Sequence, residues 1–434
     1  MRGNRLPVLL LLLVFSWLAH QPNWMLAQTT AEQQAQKLDE FLSQGKLVAA
    51  ASHFRTLLEQ QPANQTARLA LGLTEFFQAL EFLGNSNYRF GILNNSATES
   101  LPLLRLPVPE NPNPDQVSYD ELRSVVEQFQ SRIRAAEEAL GQVETGDVYL
   151  PLYLGRVRLD LNGDGVMADE ETLWRLSQVL NPQVEQAEAE AFFIGIDGAD
   201  VHWLRGYCHF LQAVCDVVLA HDERQLFERC GHLVFPKIET PFLAPQDRVR
   251  VGEFEPRAIT DLIAALHLIR FPVTAPERMR AAHGHFLAMV GQSRLCWERT
   301  LAEKDDRNEW IPNPEQTGVL GVAVPREVLT GWSKVLDEIE LLLEGKKLIP
   351  YWREYSESIF GFAMGAGGEI PEQGKGLNLR QMFYEPQEFD LILWLQGTGV
   401  ESFLEEGPLS TPEAWNRLTQ VFEGQFFGFA LWFN

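Results

Sequence analysis

Residues 31–64 read AEQQAQKLDEFLSQGKLVAAASHFRTLLEQQPAN. Phe41 lies on a first helix-forming segment, Gly45 interrupts it, Ala50 and Phe54 stand four apart on a second segment, and Pro62 follows its end. Residues four apart share one face of an α-helix, so Ala50 and Phe54 present one apolar stripe. Glycine takes up the backbone conformations of a tight turn, and proline cannot continue a helix. The stretch therefore predicts a helix, a turn at Gly45 and a second helix.

An aromatic on the first helix, a turn glycine, Ala with Phe four later and a closing Pro resemble a tetratricopeptide repeat. A second unit begins at Ala67-Arg-Leu-Ala-Leu-Gly72 and then departs, because Glu81-Phe-Leu-Gly-Asn-Ser-Asn87 carries no matching Ala, Phe and Pro. A solenoid needs about three repeats to bury its faces. The region 28–105 is accordingly expected to form tetratricopeptide-like helical hairpins that dock on the rest of the chain, and not a free peptide-binding array.

Leu106-Pro-Val-Pro-Glu-Asn-Pro-Asn-Pro114 is an extended, proline-rich connector and the best boundary in the sequence. Beyond it, Ser118-Tyr-Asp-Glu121 has the spacing of a capping box and opens a helix to about Ala139, with Leu122, Val125, Val126, Phe129 and Ile133 on one stripe. Pro151 and Gly155 then break the helical period, and Val157 and Leu159 alternate with Arg156 and Arg158, which predicts a short strand. A helix is predicted from Ala199 to His221, capped by Asp197 or Asp200, and further helices over 256–270, 276–304, 325–344, 350–364 and 411–423. Clusters of Pro, Gly and Asn at 311–321 and 365–378 separate these. The fold class read from this pattern is mainly α: helical hairpins plus a helical core, with a few short strands around one loop. The regions are 117–235 and 236–434, and the prolines 236, 241 and 245 mark a loop that suits either a domain boundary or the interior of one core.

That loop is Asp160-Leu-Asn-Gly-Asp-Gly-Val-Met-Ala-Asp-Glu-Glu171. Oxygen ligands on alternate residues, a glycine at the sharp turn and a carboxylate at the far end are what a hard cation such as calcium requires. The segment resembles the EF-hand calcium loop. That resemblance implies side-chain oxygens from Asp160, Asn162 and Asp164, the carbonyl of Val166, and both carboxylate oxygens of Glu171. Ala168 stands at the position that often serves through water. The flanks differ from the family: the entry looks like a strand, and no second loop pairs with this one. Glu170 to Leu180 is expected to supply the outgoing helix, with Leu173, Leu176 and Val179 or Leu180 inward. Phe192-Phe-Ile-Gly-Ile196 is expected to be a strand beside Val166-Met167, so that calcium (Ca2+) acts as a structural staple. A lone loop of this composition belongs with sites of roughly 10⁻⁴ to 10⁻³ M.

The chain begins with Arg2 and Arg5, an apolar run from Leu6 to Ala19, and a polar stretch ending Met25-Leu-Ala27. These are the parts of a secretory signal peptide, read here as residues 1–27, which predicts an exported, periplasmic or extracellular protein. No second apolar stretch of ~20 residues follows, so no membrane span is expected once the signal is removed. A net charge of −23 without any Lys/Arg run argues against nucleic acid as a partner. Cys208, Cys215, Cys230 and Cys296 show no Cys-x-x-Cys spacing. Cys208 and Cys215 are too far apart along one helix to pair with each other, while pairing of either with Cys230, or four free buried thiols, both fit the sequence.

His202 and His209 lie two turns apart on one predicted helix face, with Asp200, Cys208, His221 and Asp222 nearby. Chelation from one helix usually employs residues four apart, and a spacing of seven separates the rings by ~10 Å along the axis. His283 and His285 are expected on different sides of their helix. The glycine-rich stretch 365–376 reads as a flexible loop, Glu405-Glu406 as solvated charge, and the aromatic tail from Phe422 as core. No nucleophile motif or triad emerges, so no catalytic residue is assigned. The functional expectation is an exported calcium-binding protein acting as a binding or scaffold protein. The alternative is an exported metal-dependent enzyme employing His202, His209 and nearby acids.

Overall fold

The computed structural model describes residues 23–92, 108–175, 183–242, 256–319, 321, 324–355 and 370–432. Most of the expected signal peptide, Leu176 to Leu180, Pro245 and residues 356–364 lie outside these.

The chain opens with α1 (Asn23–Ser43) and α2 (Leu47–Gln60), which turn at Gly45 with a φ of +63°. Phe41 and Phe54 meet edge to face with centroids 6.5 Å apart, and Ala50 and Phe54 are fully buried. The helix–turn–helix read from residues 31–64 is therefore present. Among the described residues the broken second unit is one continuous helix, α3 (Gln65–Phe90), and not a helical pair. Its first turn is capped by Asn64 Oδ1 accepting from the Ala67 N–H. It ends at Gly91 in the left-handed region. With neither a proline nor a turn glycine conformation between 65 and 90, nothing interrupts it.

The connector folds back on the end of α3, where the Asp115 N–H donates to Arg89 O at 2.8 Å. α4 (Tyr119–Leu140) starts with the full capping box: the Glu121 N–H donates to Ser118 Oγ at 3.2 Å, and the Ser118 N–H donates to Glu121 Oε2 at 3.0 Å. Next come β1 (Tyr149–Leu152), α5 (Gln186–Ala191), β2 (Ile194–Asp197), α6 (Gly198–Ala220) and α7 (Arg224–Cys230). β1 and β2 pair antiparallel, Leu150 opposite Ile196. The strand expected at 192–196 exists, but its partner is β1 and not Val166-Met167. Of the two candidate caps of α6, Asp197 is the N-cap, accepting from the Ala199 N–H at 2.8 Å.

The C-terminal half contains α8 (Pro256–Leu268), β3 (Arg270–Phe271), α9 (Pro276–Ala302), α10 (Arg326–Leu343), β4 (Ile349–Pro350), α11 (Trp352–Tyr355), β5 (Gln373–Leu377), α12 (Leu379–Tyr384), β6 (Phe389–Asp390), α13 (Leu391–Gln396), β7 (Leu404–Pro408), α14 (Pro412–Thr419) and α15 (Phe426–Trp432). Two sequence expectations change here. Residues 373–377, expected as flexible loop, form the central strand of a sheet ordered β4-β5-β7, and Glu405-Glu406 lie in β7. Glu405 accepts a hydrogen bond from Asn378 Nδ2 at 2.9 Å, so it is not simply solvated. Gly376 fits because the side chains of Leu348 and Leu409 occupy the space where a Cβ would stand.

One hydrophobic cluster runs from Ala35 to Cys215 and joins α1–α4, β1, β2 and one face of α6 across the proline-rich connector. A second takes Ala213 and Ala220 from α6 and packs them with α9, α10 and the aromatic tail. α6 thus serves both clusters. The tail is core as expected: Phe429 stacks on Trp297 at 5.8 Å and meets Trp332 at 5.5 Å. All four cysteines are free and buried, and burial pushes the Cys215 thiol up to about 12. Among the described residues no helix is long and apolar enough to cross a membrane.

Candidate metal centre

The loop from Asp160 to Glu171 is closed at its base like a small hairpin. Arg158 and Thr172 form an antiparallel bridge, the Leu159 N–H donates to Glu171 O at 3.1 Å, and the Leu173 N–H donates to Val157 O at 2.9 Å. The entry is strand-like, as its alternation predicts. The exit differs from the expected helix at Glu170: Asp169–Glu171 is a single 3-10 turn, and Thr172 is extended to make the bridge. Pairing with the entry strand holds Thr172 out of helical geometry.

Inside the loop the side-chain oxygens turn back toward the backbone. Asp160 Oδ1 accepts from the Gly163 N–H at 2.8 Å and Oδ2 from the Gly165 N–H at 3.0 Å. Asn162 Oδ1 accepts from the Asp164 N–H at 2.8 Å, and Asp164 Oδ1 from the Val166 N–H at 2.7 Å. Gly163 and Gly165 have φ of +75° and +76°, which other residues adopt only with strain, so the turn needs glycine at both places. Val166 exposes its side chain while its carbonyl accepts from the Ala168 N–H at 3.0 Å.

Glu171 is fully buried. Its Oε1 accepts from the Leu161 and Asn162 N–H groups at 2.8 and 3.0 Å, and its Oε2 from the Ala168 N–H at 3.1 Å. Three backbone donors satisfy the desolvated carboxylate and tie the loop's two ends together. Glu171 Oε1 already accepts two bonds, while Glu171 Oε2 and the oxygens of Asp160, Asn162, Asp164 and Val166 each accept one and keep a lone pair, so an all-oxygen donor set of the kind a hard cation takes remains. Asp160, Asp164 and Glu171 do not, however, form a group whose oxygens all lie within 4.8 Å of one another.

The loop is seated on the N-terminal helices. The Arg158 N–H donates to Leu42 O at 3.0 Å, and the Asp160 N–H donates to Glu81 Oε2 at 2.9 Å. Asn85 Nδ2 bonds to Asp160 O. Leu161, fully buried, fills the space over Gly84, and Met167 lies against Gly45. Glu81 is a fourth carboxylate at this place that the sequence pattern does not mark. Burial, with Asp160 nearby, raises its pKa against the opposing effect of the Asp160 N–H bond. A cleft of about 640 Å³ opens beside it, with Phe82, Arg132, Asn162 and Gly163 in its walls.

The histidine pair of the alternative reading is not brought together. His202 Nδ1 is 2.8 Å from Gln292 Oε1, and its Nε2 is 3.5 Å from Thr145 Oγ1. His209 instead faces His285, and His283 bonds to Leu343 O at 2.9 Å on another side of α9.

A different acidic group does converge. Carboxylate oxygens of Asp197, Glu303 and Glu309 all lie within 4.8 Å of one another. Burial, reinforced by Asp197, pushes Glu303 up to about 8, and burial, against a bond from the Arg307 N–H, pushes Glu309 to about 7. Asp200, buried behind Asp197, is raised well above the usual carboxylate range, first by burial and then by Asp197. Like charges this close share protons at neutral pH. The sequence marks Asp197 only as a helix cap, and Glu303 and Glu309 carry no local motif.

Comparisons with protein-family models, curated protein sequences and solved structures return no match.

Proposed function

We propose that this chain is an exported calcium-binding protein in which the single loop Asp160–Glu171 clamps the N-terminal helices to the helical core, and that it acts as a binding or scaffold protein. The observation that carries the reading is the seating of the loop: one short segment contacts α3 through Asp160 and Leu161 and the α1–α2 turn through Met167. An ion bound by Asp160, Asn162, Asp164, Val166 and Glu171 would stiffen the loop that makes those contacts. Sensor loops expose a groove by reorienting two flanking helices. A loop closed by a bridge between Arg158 and Thr172 has no such pair to open, which favours a staple over a switch. At ten times its dissociation constant calcium would add about 1.4 kcal/mol of stability.

Hydrogen exchange of the full chain in calcium and in chelator tests the clamp. Chelation is expected to raise exchange in the loop and at α3 residues 81–85. Unchanged exchange there, with calcium in millimolar excess, would contradict the clamp.

A further inference from the structure

His209 on α6 and His285 on α9 face each other with Nδ1 3.1 Å from Nδ1. The far nitrogen of each ring faces a carboxylate: His209 Nε2 is 3.5 Å from Glu137 Oε1, and His285 Nε2 is 3.8 Å from Asp216 Oδ2. A neutral imidazole has one N–H and one lone pair, and a carboxylate only accepts. The negative charge on the Nε2 side of each ring favours the tautomer with its proton on Nε2, in which the two Nδ1 lone pairs are directed at each other. At 3.1 Å two facing lone pairs call for something positive between them, either a ring proton shared between the two Nδ1 atoms or a bound cation.

The surrounding charges are already matched. Arg205 donates to Glu137 Oε1 from Nε and Nη2 at 3.0 and 2.8 Å, and Arg278 Nη1 donates to Asp216 Oδ1 at 2.9 Å and to Gln130 Oε1 at 3.0 Å. Arg134 of α4 adds an exposed positive charge on the His285 side. Burial lowers the proton affinity of both rings.

We infer that His209 and His285 form a two-histidine site for a divalent transition-metal ion of the zinc type. Two zinc–nitrogen bonds of 2.0–2.1 Å at a tetrahedral angle place the nitrogens about 3.3 Å apart, close to the separation found. Metal-binding histidines commonly have a carboxylate beyond the far nitrogen, and here both rings have one, at 3.5 and 3.8 Å. Their side chains are 13% and 24% exposed, so the pair is not sealed from solvent. The ion would bridge α6 to α9. The site contains no residue of the calcium loop and stands independently of it.

Calorimetric titration of the full chain with zinc chloride, in millimolar calcium at about pH 7.5, tests the inference, since neutral imidazole is the ligand. One saturable equivalent is expected, weakened at least tenfold in His209→Ala and in His285→Ala. Glu137→Gln should weaken it about 10- to 100-fold while leaving it measurable. Glu303→Gln, in the separate acidic group, should leave it unchanged. His285→Asn, which retains a polar side chain, replaces the alanine variant should that fail to fold. Absence of saturable zinc uptake, or uptake equal in wild type and the histidine variants, would overturn the assignment.

Discussion

Leu161 sits over Gly84 so closely that no Cβ could stand at position 84 without displacing it. The contact joins the second residue of the acidic loop to the C-terminal half of α3, and both partners are buried. It is an apolar contact, and it requires no ion.

Gly84→Ala should therefore destabilise the fold by overpacking, about 1–3 kcal/mol, although alanine is the better helix former. Leu161→Ala should cost about 2–5 kcal/mol by leaving a cavity. Because the two residues touch, the double variant should lose less than the sum of the two. Urea unfolding of the four proteins measures this, and simple additivity would show that Gly84 does not receive Leu161.

The turn itself is legible in the sequence because its acidic and glycine residues lie on one short segment, and its glycines fall where φ is positive. Capping at Ser118 and Asp197 is legible for the same reason, being local. The receiving surface is not: Gly45, Glu81 and Gly84 acquire their roles only when the loop arrives from a distant part of the chain. Likewise His209 and His285 carry no shared motif, and their meeting depends on how α6 packs on α9. Strand β5, Gln373-Gly-Lys-Gly-Leu377, has no β-branched residue and reads as loop. Pairing on both edges, with β4 and β7, makes it a strand. At Ile194–Asp197 the strand is visible from sequence and the partner is not, since residue pattern sets a strand's face and not its neighbour.

The Asp197, Glu303 and Glu309 group predicts a dependence on pH. Folding raises the pKa of all three, so the folded state holds protons that the unfolded state releases near pH 4. Their contribution to stability is fully present below that pH and is lost as pH rises through about 7 and 8, where Glu309 and Glu303 titrate. Melting temperature measured in chelator should fall between pH 5 and about 8.5, and Glu303→Gln should flatten the fall. An unaltered slope in that variant would show that Glu303 does not contribute to it.

Phe429 predicts a structural tail. Its ring stacks on Trp297 with an interplanar angle of 8° and also contacts Trp332 and Phe422. Phe429→Ala should cost about 3–5 kcal/mol in urea unfolding, while Phe427→Ala, at an 84% exposed residue, should be near neutral. Equal effects would place the tail outside the core.

Glu171 decides between a calcium clamp and a loop held by its own hydrogen bonds. It anchors three backbone N–H groups and is one of the ligands of the proposed ion. Glu171→Gln should destabilise the apo protein by about 1.5–3 kcal/mol, the range for hydrogen bonds to a charged group. Asp160→Asn should disturb the apo fold less, since the bonds Asp160 accepts lie at the loop's exposed mouth. The most direct measurement is the melting temperature of the wild type, Glu171→Gln and Asp160→Asn with and without millimolar calcium. A clamp closed by calcium gives a rise in the wild type and none in either variant; no rise in the wild type, or the same rise in all three, would contradict it.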